Sequence, residues 1–115
     1  QMVNLTTLDH ALRREARGVL LLKIDCQGHE HHVLQGALAY FKRHPVYVLL
    51  LEFYPKGLVA AGIDPLSLLR LLYEKLGYQC FDVGKGAQAR GTSLELRQFV
   101  AAHPPNGTRG DVASY

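Results

Sequence analysis

Two runs of the sequence are almost wholly apolar: Val19 to Ile24, reading Val-Leu-Leu-Leu-Lys-Ile, and Val46 to Phe53, reading Val-Tyr-Val-Leu-Leu-Leu-Glu-Phe. Each has the length of a strand. A continuous run, as opposed to an alternating one, predicts a strand covered on both faces, as in a parallel sheet. Between them, from His29 to about Arg43, the apolar positions Val33, Leu34, Ala37, Leu38 and Phe41 recur as one face of a helix, with Glu30 on the same side. His44-Pro45 closes that helix, because the residue before a proline disfavours helical backbone. The three segments make one strand-helix-strand unit.

Thr7 caps a predicted helix from about Leu8 to Ala16, ended by Gly18. After the second strand, Tyr54-Pro55 opens a loop that runs to Ile63. Asp64 then caps a helix with Pro65 at its first position, continued by Leu66, Leu69, Leu72, Tyr73 and Leu76 and stopped at Gly77. Tyr78 to Val83 is a third strand, and Gly84 to Gly91 a loop of small residues. Thr92 and Glu95 form a capping box for a helix of about Ser93 to Ala102. The tail from His103 reads as a loop, in which Asp111 to Tyr115 alone could begin a last strand. Strands alternating with helices predict an α/β fold, a parallel sheet flanked by helices and joined by right-handed crossovers, with no domain boundary.

Composition fits one folded domain. Hydrophobic residues make up 48% and charged residues 20% of the 115 residues, which excludes a disordered or fibrous chain. The net charge of +3 comes from 13 basic and 10 acidic residues scattered along the chain, and without a basic stripe there is no case for nucleic acid. Cys26 and Cys80 fall in predicted buried strands and suit packed, reduced thiols. No stretch approaches the roughly 18–20 apolar residues of a spanning helix, so no membrane segment is expected here. Asn4-Leu5-Thr6 and Asn106-Gly107-Thr108 fit the glycosylation pattern, a triplet that is common by chance.

Ligands in open parallel sheets bind beyond the carboxyl ends of the strands, where Asp25 and Glu52 fall. If the two strands are neighbours they lie about 4.8 Å apart. Two ionised carboxylates there repel unless a donor, a cation or a proton lies between them. Glu30, in the first turn of the intervening helix, brings a third acid to the same end. The plainer alternative is that Asp25 and Glu30 cap that helix and Glu52 pairs with a basic residue. His29 and His32, one turn apart and flanking His31, could share a metal. The zinc-protease pattern is absent, however, since Val33 stands four residues beyond His29, and a solvated or cavity-rimming cluster fits better. The spacing of Gly84, Gly86 and Gly91 matches neither the dinucleotide fingerprint nor the phosphate loop. Tyr54 and Tyr73 read as rim and packing aromatics.

Leu22 to Ala37, LKIDCQGHEHHVLQGA, resembles the FkbM-type methyltransferase segment in which Lys-Ile-Asp, a Gly, a Glu and Val-Leu-x-Gly-Ala follow at these spacings. Thr7-Leu8-Asp9, Leu51-Glu52-Phe53 and Leu76-Gly77-Tyr78 are similar to further steps of the same family. The resemblance implies a class I, Rossmann-like enzyme that moves a methyl group from S-adenosylmethionine onto an oxygen of a sugar or other small polar acceptor. It implies Asp25, Glu30 and His29 as catalytic candidates, with Asp25 first, and Asp25 and Gly28 beside the cofactor. Glu52 and Tyr54 would face the acceptor. Gln27 stands where many members have Glu. The glycine-rich turn that holds the methionine part of the cofactor and the acid that holds its ribose have no counterpart here. The chain therefore reads as the carboxy-terminal half of such a domain, with a non-catalytic α/β module and a histidine metal site as the alternatives.

Overall fold

The computed structural model describes residues 2–83, 87–89, 93–102 and 110–114. Strands β1 (Val19–Ile24) and β2 (Val46–Phe53) pair in parallel, with Ile24 opposite Leu51. Three short strands complete the sheet: β3 (Cys80–Asp82), β4 (Ala87–Ala89) and β5 (Gly110–Ser114). Their spatial order is β1-β2-β5-β3-β4. Because β5 runs antiparallel to both β2 and β3, the strands β1, β2 and β3 all point the same way. The sheet as a whole is mixed. β4 turns back on β3 after a connection too short for a crossover, which leaves antiparallel pairing as the outcome. The segment from Gly84 to Gly91, read as a loop, thus contains β4; residues 84–86 and 90–92, with the Thr92 cap, lie outside the described residues, as does the Asn106 triplet.

The helices are shorter and more numerous than the periodicity predicts. Helix α1 covers only Leu8–Ala11, capped as expected by Thr7, whose Oγ1 accepts from the His10 N–H at 3.2 Å. The single helix expected over 29–43 is two, α2 (Glu30–Gln35) and α3 (Leu38–Arg43). The cause lies in α1. The Asp9 carboxylate accepts from Ala39 N at 3.2 Å and Tyr40 N at 2.7 Å, and Asp9 N donates to the Gly36 carbonyl at 2.8 Å. Asp9 thereby caps a fresh helix start at the point where Gly36 already weakens the helix. The segment read as a loop after Tyr54 carries α4 (Pro55–Ala60), anchored by the fully buried Leu58. Helix α5 (Pro65–Arg70) begins on the Asp64 cap and widens into a π-helical turn, Leu71–Lys75, with Leu76 N bonded to Leu71 O. Helix α6 covers Ser93–Ala102.

One apolar cluster joins these elements. Ile24 of β1, Leu49, Leu51 and Phe53 of β2 and Cys80 of β3 pack with Leu34, Leu58, Leu68, Leu69, Leu72 and Phe99 from the helices. Each fully buried leucine contributes about 1.5–3 kcal/mol relative to exposure. The β2 members of the cluster alternate along the strand, so the core lies on one face of it. On the other face Val48 and Leu50 are only half-buried. β1, an edge strand, leaves Leu20 76% and Leu21 55% exposed. The expectation that β1 is covered on both faces does not hold: Leu20 and Leu21 point to opposite faces and both are exposed, and no described strand pairs with its outer edge. Among the described residues no helix is long and apolar enough to cross a membrane.

Candidate active site

The parallel register sets Ile24 beside Leu51, so the next residues along, Asp25 and Glu52, leave the carboxyl ends of adjacent strands together. They line a recess of about 170 Å³ with Lys23, Leu50 and Leu51. Lys23 sets a cation beside one of the two acids: its Nζ lies 3.7 Å from Asp25 Oδ2. Sequence reasoning passed over Lys23 as part of a strand, although its position two residues before Asp25 puts both side chains on one face. Asp25 is exposed, and Glu52 is buried.

Immediately after β1 the backbone folds into a tight turn. Gln27 takes φ 54 and Gly28 φ 107, both left-handed. Glu30 holds this turn: Oε1 accepts from Cys26 N at 3.0 Å and Oε2 from Gly28 N at 2.9 Å. Charge-assisted bonds of this kind are roughly twice as strong as neutral ones. Glu30 has no exposed surface, and each of its oxygens is committed to the turn. Expected among the catalytic acids, it is held at the turn that follows Asp25 by these two bonds. The same environment acts on Cys26, whose thiol is pushed up to about 11, first by burial and then by the negative charge of Glu30.

Gly28 is buried as well, and the reason is α4. A Cβ on Gly28 would lie 2.2 Å from the Gly57 carbonyl carbon, and one on Gly57 would lie 2.6 Å from Gln27 O and 2.4 Å from the Tyr54 ring. Gly28 is expected beside the cofactor, and the space that a side chain on it would take is filled by Gly57. The contact brings Tyr54, half-buried at the start of α4, against the turn that follows Asp25. Gly57 carried no signal in the sequence beyond being a glycine inside a short apolar segment.

His29 is exposed at the start of α2, its ring centroid 5.5 Å from that of His32, and His31 and His32 are 6.2 Å apart. Among the described residues no group of three or more His, Cys, Asp or Glu could hold a metal ion. Of the predicted site residues, the structure therefore brings Asp25 and Glu52 into one recess, adds Lys23, and sets Gly28, Glu30 and Tyr54 around the supporting turn.

No match was found among curated proteins or among solved structures. Residues 1–80 match the family described as Methyltransferase FkbM domain, a span that takes in β1, the Asp25 turn, both acids of the recess and the start of β3. With 80 of its 115 residues matched, the chain belongs to the FkbM methyltransferase domain family.

Proposed function

We propose that this chain forms the acceptor-facing, carboxy-terminal half of a class I, Rossmann-like methyltransferase that uses S-adenosylmethionine to methylate an oxygen of a sugar or other small polar molecule. The observation that carries the reading is the pairing of Asp25 with Glu52 at the carboxyl ends of parallel strands, with Lys23 in the same recess. That is where α/β sheets place their ligands. The strand order adds support: three parallel strands with an antiparallel last strand inserted before the final parallel one is the arrangement that such a half-domain needs.

The residues present suit the cofactor by charge. Two acids against one lysine leave the recess net negative, which favours a cationic sulfonium. At about 170 Å³ it holds only the reacting end of so large a molecule, since whole-ligand pockets run to about 300–1,000 Å³. When bound, S-adenosylmethionine supplies an electrophilic methyl group. Asp25, open to solvent and close to Lys23, orients the acceptor hydroxyl and takes its proton as the oxygen gains the methyl group. His29 is the second candidate for that proton. Glu30 and Gly28 act through the turn, as positioning residues. Glu52 and Tyr54 face the acceptor side. The test is methyl transfer by the complete gene product: Asp25→Ala lowers turnover by about 10²-fold or more while leaving the protein folded. Unchanged turnover removes Asp25 from the mechanism.

A further inference from the structure

A second recess of about 170 Å³, sharing no residue with the first, lies between α2 and the helix formed by α5 and its π-helical turn. Its polar lining is His31 and Gln35 from α2, Ser67 and Arg70 from α5, and Glu74 and Lys75 from the π-helical turn. Its charge is unbalanced, two cations against one carboxylate, and among the described residues neither Arg70 nor Lys75 forms an ion pair. The His31 ring lines this space, and its Nδ1 is shut off from solvent with no hydrogen-bond partner among the described residues. Its ring titrates below the ordinary histidine value, through burial first and then through the positive charges of His32 and Lys75. Basic groups thus converge on a space with too little negative charge in it. The rim itself is a π-helical turn, a rare geometry that recurs at functional sites.

We propose that this recess binds a small oxyanion, a phosphate or carboxylate group, held by Arg70 and Lys75 and hydrogen-bonded by His31. The planar guanidinium of Arg70 matches two oxygens at once, Lys75 adds a point charge, and Ser67 and Gln35 supply neutral donors. The site stands independently of methyl transfer and survives if that reading fails.

Histidine-observed NMR on the full chain tests it, with inorganic phosphate and then acetate added at constant ionic strength. One of the two anions should move His31 along a saturable curve and raise its pKa, while His10 and His44, outside the recess, stay still. Saturation by phosphate assigns a phosphate site, and saturation by acetate alone a carboxylate site. Arg70→Gln and Lys75→Gln, both at exposed positions, should each weaken binding by about tenfold, the loss of one charge-assisted bond. The proposal is overturned if His31 responds no more than His10 and His44, or responds equally in wild type and both variants.

Discussion

Gly28 and Gly57 meet backbone to backbone, so closely that a Cβ on Gly28 would stand 2.2 Å from the Gly57 carbonyl carbon. The contact ties the turn after Asp25 to α4. Gly28→Ala meets two penalties at once, the left-handed φ of 107 and the clash, and lowers stability by about 2–4 kcal/mol. Urea denaturation measures it. A midpoint equal to wild type would show that α4 moves away freely and that the turn is not locked.

Glu30→Gln places an amide NH₂ against one of two backbone donors that the carboxylate now satisfies together. The expected loss is about 2 kcal/mol, in the range for hydrogen bonds to charged groups. Cys26 reports the same event independently. In wild type its raised pKa keeps the thiol protonated and slow to alkylate at pH 8, and releasing the turn speeds alkylation as followed by mass spectrometry. Equal rates in the two proteins would separate Cys26 from Glu30.

Cys26, Tyr78 and His31 each bear on how stability varies with pH. Cys26 is raised from 9.0 to about 11 and Tyr78 from 10.0 to about 12, both by burial first, so each contributes fully below its ordinary value and loses that contribution as pH climbs through the folded one. Tyr78→Phe, which also gives up the bond to the Val46 carbonyl, should flatten the alkaline limb between pH 10 and 12. His31 runs the other way. Its folded value lies below 6.5, so the unfolded chain takes the proton first and stability falls as pH drops below 6.5. His31→Gln removes that acid-side loss. Denaturation midpoints across pH that keep wild-type slopes in both variants would contradict the assignment.

Alternation along β2 separates two neighbouring leucines. Leu51 is 1% exposed and packs in the core, whereas Leu50 is half-buried on the opposite face. Leu51→Asp buries an unpaired charge and should unfold the domain; Leu50→Asp should cost much less. Circular dichroism of the two variants distinguishes them, and equal damage from both would mean that both faces of β2 are covered.

How much of this was legible in the sequence depended on whether the signal was local. The strands β1 and β2 were readable because continuous apolar runs bounded by Gly18, Asp25, Pro45 and Pro55 are local features, and the family segment from Leu22 to Ala37 is likewise one continuous stretch, running from the end of β1 through α2. Asp64-Pro65 and Thr7 announced their helices through capping chemistry, again local. What stayed hidden was set by distant partners. Asp9 reaches 31 residues along the chain to cap α3, splitting a helix whose periodicity is unbroken. The sheet-facing reading of Glu30 was correct in direction, but its commitment to the backbone of Cys26 and Gly28 depends on a turn that no spacing encodes. A continuous apolar run implied two covered faces for β1, yet its cover depends on which elements lie beside it.

Calorimetry with S-adenosylmethionine tests most directly whether Asp25 and Glu52 belong to a methyltransferase active site, as proposed. This 115-residue chain and the longest product of its gene are titrated side by side, each with its Asp25→Ala variant. Binding by the longer product alone, weakened by Asp25→Ala, is the predicted result; no binding by either product would contradict the account and leave this fold put to a use other than methylation.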